Sequence, residues 1–251
     1  MIDKKRVRGL SQYLLQAHLS GSMIAIDPEF ALQTSDEAYW VQESVLRGLD
    51  ARRPMAWKIS PPRDGAEPTS SPTPPSAVKA SPAEFMSVNR VLGVEAEIAF
   101  RFATAPRVKG RKIDIASHVQ EAFVLIELCE TRYYNMEELS PMLRLADFQS
   151  HGGFALGSGT ANWREIDFAA QSVELAVNGK KAVARTGSHP SGDPFALAEW
   201  AAKHCAERGM PLAAGDIVTT GTWTGLTPVA AGDEIVARFP GVGEAKLKLY
   251  A

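Results

Sequence analysis

The chain has 251 residues, 45% of them hydrophobic, with 27 basic against 29 acidic side chains and a formal charge of −2 at neutral pH. That is enough apolar material for a sizeable core, and the basic clusters, no longer than Lys4-Lys5-Arg6 and Arg52-Arg53, exclude nucleic acid as a partner. The charged start, MIDKKRVRG, lacks the apolar stretch of a secretion signal, and no apolar run nears the ~18 residues of a membrane span. A cytoplasmic protein without a membrane partner is expected.

Residues 3–19 place Val7, Leu10, Leu14 and Leu15 at helical spacing. A second helix is predicted over 35–50, where Thr34 and Glu37 have capping-box spacing and Ala38, Val41, Val45 and Leu49 form an apolar stripe. The opening 1–54 therefore read as a small helical region ahead of a β-rich body over 55–251. Residues 60–83 are dense in Pro and Ser, which excludes a helix interior or a central strand. The stretch is either a surface linker or a mobile cover over a site.

Beyond residue 90 the texture turns to strands: VLGVEAEIAFRF (91–102), AFVLIELCE (122–130), and two alternating runs over 172–185 joined by the hairpin signal Asn178-Gly179. An amphipathic helix over 194–209 closes on Gly209. Further short strands are predicted in GDIVTTGTWTGL, GDEIVARF and AKLKLY. Helices and strands do not alternate regularly, which predicts an α+β class with a mixed β-sheet core. Cys129 and Cys205 fit no metal or redox spacing and read as reduced core residues.

Within GVEAEIAF (93–100), Glu95 and Glu97 are two apart, so on a strand they share a face. That face is either solvent or a site where something positive relieves their repulsion. Glu127 and Glu130 are further acids in apolar company, and a third carboxylate from a second strand would complete a set of hard oxygen ligands for Mg²⁺ or Mn²⁺. The five histidines are scattered, which disfavours zinc. Lys58, in WKIS, is either a snorkelling surface lysine or a cation tuned for an anionic substrate. TTGTWTG (219–225) is either a plain tight turn or a backbone cradle for an anion.

The ordered set of WKIS (57–60), GVEAEIAF (93–100), LIELCETR (125–132) and the block over 192–235 resembles the fumarylacetoacetate hydrolase superfamily, in its 2-keto-4-pentenoate hydratase and 4-oxalocrotonate decarboxylase branch. The resemblance spans roughly 55–250. It implies a barrel-like roll of mixed sheets with a metal in its mouth. It implies Glu95, Glu97 and Glu130 as metal ligands, with Glu95, Glu97 and Lys58 catalytic, Thr222 on the substrate carboxylate, and Ser150 and Gly153 lining the pocket. Glu130 stands where the family commonly has Asp. The segment after WKIS departs from the family's pattern, and with no histidine over 19–117 the His–Glu pair of the hydrolytic members is missing.

The activity so implied is a Mg²⁺- or Mn²⁺-dependent hydratase adding water to a 2-hydroxy-2,4-dienoate to give a 4-hydroxy-2-oxo acid, as in aromatic-compound breakdown. The alternatives are decarboxylation of 2-oxo-3-hexenedioate, another 2-oxo-acid lyase or C–C hydrolase, and a weakly active paralogue that binds a small acid. The branch also implies a homo-oligomer, with complexes to a decarboxylase partner.

Overall fold

The computed structural model describes residues 3–50, 52–62, 66–86, 90–108 and 113–250. Helix α1 (Lys4–Ser20) starts at Asp3, whose carboxylate accepts from the N–H groups of Lys5 and Arg6, and stops at Gly21 in the left-handed conformation. Helix α2 (Ser35–Leu49) is capped by the Thr34 hydroxyl, which accepts from Glu37 N–H. The Glu37 carboxylate turns back to Gln33 N–H and Arg6.

The strands follow as β1 (Ala56–Ser60), β2 (Thr69–Thr73), β3 (Val78–Ala80), β4 (Ala83–Met86), β5 (Arg90–Phe102) and β6 (Val119–Thr131). After the short helix α3 (Pro141–Ala146) come β7 (His151–Thr160), β8 (Ser172–Val177) and β9 (Lys180–Thr186). Helix α4 (Pro194–Glu207) precedes β10 (Ile217–Thr219), β11 (Glu234–Phe239) and β12 (Gly243–Tyr250). One sheet runs β2-β1-β10-β5-β6-β7-β3 and the other β4-β12-β11-β8-β9. Both are mixed: β1 is parallel to β10, β3 to β7 and β4 to β12, and the remaining pairs are antiparallel.

The expected α+β class with a mixed-sheet core and an opening helical region is what forms. Inward residues of both sheets, among them Val94, Ala96, Ile98, Ile126, Leu175, Ala237 and Leu247, share one apolar core with Leu197, Ala201 and Cys205 of α4. Both cysteines are free and buried. A second cluster joins Val7, Leu10 and Leu14 of α1 and Val41 and Val45 of α2 to Leu143, Leu145 and Phe148. Among the described residues no helix is long and apolar enough to cross a membrane.

The reading of 60–83 as linker or cover is corrected. Residues 63–65 lie outside the described residues, but β2 and β3 both fall within the stretch and form the two edges of the larger sheet. An edge strand tolerates proline because one side of its backbone needs no ladder bond, so Pro72 sits in β2 opposite Trp57. Ser70, Ser71 and Thr73 are buried there, and Gln42 of α2 donates to Ser70 O and Ser71 Oγ.

Candidate active site

Strands β5 and β6 pair antiparallel over their length, with Glu95 opposite Glu127, Glu97 opposite Leu125 and Gly93 opposite Cys129. Period two then puts Glu95, Glu97, Glu127 and Cys129 on one face, while Val94, Ala96, Ile98, Ile126 and Leu128 go to the main core on the other. The acidic face continues into a small apolar cluster of Ala56, Ala99, Phe123, Leu125, Phe154 and Ile217, which is why Glu97 and Glu127 are buried while Glu95 is half-buried. One donor atom each from Glu95, Glu127 and Cys129 lie within 4.8 Å of one another.

Glu130 was expected to complete this set, but the register brings Glu127 and not Glu130 opposite Glu95. Glu130 is three residues from Glu127 on an unbroken strand, so its side chain leaves from the opposite face. It pairs with Val91 and packs against Gly152, where an added Cβ would meet Glu130 Cγ at 3.1 Å. The carboxylate facing Glu95 is that of Glu127.

Lys58 is buried on β1, and its Nζ lies 2.6 Å from Glu127 Oε1 and donates to the Gln149 carbonyl at 3.1 Å. His151 Nδ1 bonds the same Glu127 oxygen at 3.0 Å, and its Nε2 meets Thr73 Oγ1 at 3.0 Å. Burial alone would raise the Glu127 pKa, but Lys58 and His151 outweigh it and hold the carboxyl below the usual range. Burial likewise works against the Lys58 ammonium, and the Glu127 charge overcomes it, so the lysine pKa lies above its ordinary value. Glu97 goes the other way: burial, then the charges of Glu127 and Glu95, push it well above the carboxylate range.

Arg132, fully buried at the end of β6, fixes the segment beyond α3. Its Nε donates to Asp147 Oδ1 at 2.5 Å, its Nη2 to Asp147 O at 2.8 Å and its Nη1 to His151 O at 3.0 Å. Between those anchors Phe148, Gln149 and Ser150 all take positive φ, a sparsely populated conformation for such residues. The Ser150 hydroxyl, buried in this turn, contacts Met136 Sδ. At Gly153 an added Cβ would lie 2.6 Å from the Phe85 ring and 2.7 Å from Ala77 O, so its smallness serves packing there. No local signal in the sequence marks Gln149 or His151 as a site residue. The left-handed turn that presents Gln149 contains no Gly or Asn to announce it.

The segment 219–227 lies across β5. Val94 and Thr227 exchange backbone hydrogen bonds, and Trp223 N–H donates to Ala96 O. Gly93 permits the approach, since a Cβ there would sit 2.4 Å from Thr227 O. This seats Gly221 N–H 3.1 Å from Glu97 Oε2. Thr222 is half-buried next to it, its Oγ1 accepting from Gly225 N–H at 2.9 Å.

These residues fit a divalent cation. Glu127 Oε2 is buried with no hydrogen-bond partner among the described residues, a Glu127 oxygen lies close to the donor atoms of Glu95 and Cys129, and the charges of Glu95, Glu127 and Lys58 all act on Glu97. Oxygen-rich donors suit Mg²⁺ or Mn²⁺.

The model of the fumarylacetoacetate (FAA) hydrolase C-terminal family matches residues 40–249. The 2-keto-4-pentenoate hydratase of Burkholderia vietnamiensis (strain G4 / LMG 22486) is 32% identical over 156 residues, 61% of this chain and 58% of that protein. The 4-oxalocrotonate decarboxylase of Pseudomonas putida is 30% identical over 157 residues, 62% of this chain and 59% of that protein. The matches thus span less than two thirds of these relatives' length. Among solved structures, 4-oxalocrotonate decarboxylase from Pseudomonas putida G7, complexed with magnesium and adipate, superposes with a TM-score of 0.87 at 23% identity, covering 99% of both chains. That likeness establishes the fold.

Proposed function

The chain belongs to the fumarylacetoacetate hydrolase family, and from that premise we propose that it is a divalent-metal-dependent hydro-lyase. Its reaction adds water to a 2-hydroxy-2,4-dienoate of the 2-keto-4-pentenoate type, giving a 4-hydroxy-2-oxo acid. The observation that carries this reading is the convergence of Glu95, Glu97 and Glu127 beside the buried Lys58.

Glu95, Glu97 and Glu127 would hold the cation. When bound, Mg²⁺ or Mn²⁺ supplies Lewis-acid stabilisation of negative charge developing on a 2-oxo acid's oxygens. The Pseudomonas putida G7 decarboxylase carries magnesium in one structure and calcium in another, which supports a divalent ion here. Lys58 stays protonated, and its ammonium has three protons of which Glu127 and Gln149 engage two. The third serves as a general acid or orients the water. The Thr222 hydroxyl spends a lone pair on Gly225 N–H, which leaves its proton to donate to the substrate carboxylate. Ser150 offers a hydroxyl on the turn beside Lys58's acceptor.

Decarboxylation of 2-oxo-3-hexenedioate is the second reading, because the relatives named for that activity are nearly as similar as the hydratases and both reactions need the same electron sink. The reading extends to a cytoplasmic homo-oligomer in aromatic-compound breakdown, able to associate with a decarboxylase partner.

The test is ultraviolet absorbance of freshly generated 2-hydroxypenta-2,4-dienoate with the protein, with and without Mg²⁺ or Mn²⁺, and product identification by mass. Metal-dependent loss of the diene with gain of one water is expected. No turnover of this substrate, with CO₂ release from 2-oxo-3-hexenedioate, would replace the hydratase by the second reading.

A further inference from the structure

Along the β5–β6 ladder the acid face has two ends. Gly93 stands opposite Cys129, Glu95 opposite Glu127 and Glu97 opposite Leu125. Cys129 and Glu97 therefore flank the Glu95–Glu127 pair on either side, each about 7 Å along its strand from the nearer glutamate. Among the described residues, the donors that come together within 4.8 Å are one atom each from Glu95, Glu127 and Cys129, and not the three carboxylates.

That trio can close on one ion. Bonds of about 2.0–2.2 Å to carboxylate oxygen and about 2.3 Å to sulfur put two ligands at most ~4.5 Å apart, so small side-chain shifts bring the three donors into range. Glu127 has an oxygen to give: Lys58 and His151 both engage Oε1, while Oε2 is buried with no hydrogen-bond partner among the described residues. The Cys129 thiol is in no disulfide and is buried beside these carboxylates. Gly93, opposite it, brings no side chain between them. Carboxylates alone suit a hard ion, and a thiolate added to them favours a softer one.

We propose that Cys129 is a metal ligand, and that Glu95, Glu127 and Cys129 together take a thiophilic divalent ion such as Zn²⁺ or Co²⁺. A hard ion, Mg²⁺ or Mn²⁺, uses the same two glutamates with Glu97 in place of the thiolate, so the two modes exclude each other. When the thiophilic ion binds, the S–H bond breaks, its electron pair goes to the metal and its proton passes to solvent. Nothing is oxidised or reduced. The proposal rests on the cation centre proposed above and extends it from hard to thiophilic ions.

The experiment reads the absorption of the full chain loaded with Co²⁺, then titrates Zn²⁺ and Mn²⁺ separately by calorimetry. The wild type should show the near-ultraviolet charge-transfer band of a cobalt-bound thiolate. Cys129→Ser and Cys129→Ala should lack the band. Cys205→Ala should keep it, since Cys205 belongs to the main core with α4. Zn²⁺ binds mixed donor sites more tightly than Mn²⁺ with or without sulfur, so the change on substitution decides. Both Cys129 variants should lose at least about tenfold in Zn²⁺ affinity and bind Mn²⁺ as the wild type does. No band in the wild type, or a loss of Zn²⁺ affinity in both variants no larger than that of Mn²⁺, would overturn Cys129 as a ligand, and wild-type Mn²⁺ binding would then leave the carboxylate centre standing. Failure of the wild type to bind any of the three ions would overturn the cation centre and this proposal with it. A cobalt band in a protein that binds no Mn²⁺ would support Cys129 and contradict the hard-ion centre alone.

Discussion

Lys58 and Glu127 are a buried ion pair, 2.6 Å apart, and the electrostatics of the acid cluster turn on it. Removing one partner of such a pair leaves an uncompensated charge and costs about 3–5 kcal/mol. Lys58→Met should therefore lower the unfolding free energy by about that amount in chelator, measured by urea denaturation, and Mn²⁺ should restore part of it by replacing the lost positive charge. Unchanged stability in chelator would contradict the pair's role. At this scale the sequence was only partly legible. Glu95 and Glu97 could be read from period two alone, and Lys58 from its apolar setting. The choice between Glu127 and Glu130 turns on which face of β6 meets the pair on β5. That depends on the register between two strands, and neither strand alone encodes it.

At the level of elements, the loop 219–227 reaches the acids only because Gly93 lets it lie against β5. Gly93→Ala would put a Cβ 2.4 Å from Thr227 O. The loop must then move, at a cost of about 1–3 kcal/mol, and Gly221 N–H must withdraw from Glu97. The variant is expected to lose affinity for a 2-oxo acid such as 2-oxoadipate more than for Mn²⁺, as calorimetry would show. Equal affinity for the acid would refute the loop's part in binding. Helices α1, α2 and α4 and the Asn178-Gly179 hairpin were legible because caps, periodicity and turn residues are local signals. Strand β7, with glycines at 152, 153, 157 and 159, and the proline-bearing β2 were not, since their pairing is decided by distant neighbours.

For the whole molecule, acid sensitivity follows from how histidines are buried. His204 is stacked on Trp200, with ring centroids 4.5 Å apart, and burial, then the charge of Arg208, lowers its pKa to about 4. Burial is also the leading cause of the lowered pKa values of His18, His151 and His189. The sign is fixed by the proton balance. Above the unfolded value of about 6.5 neither state binds these protons. As pH falls below it the unfolded chain takes up protons that the folded chain refuses, and stability is lost progressively toward pH 4. The urea midpoint should therefore decline from about pH 7 to about pH 5, across the ~6.5 of an unperturbed imidazole, and His204→Phe should decline less steeply. An identical pH slope in the variant would contradict this assignment.

The proposed hydro-lyase depends on a divalent-cation centre built from Glu95, Glu97 and Glu127. Mn²⁺ titration by calorimetry of the wild type, Glu127→Gln and Glu130→Gln tests it most directly, with circular dichroism to confirm that each variant is folded. Glu127→Gln should weaken Mn²⁺ binding by at least about tenfold, while Glu130→Gln binds as the wild type does. Loss of binding in Glu130→Gln with full binding in Glu127→Gln would place the cation on Glu130 and rule out Glu127 as its ligand.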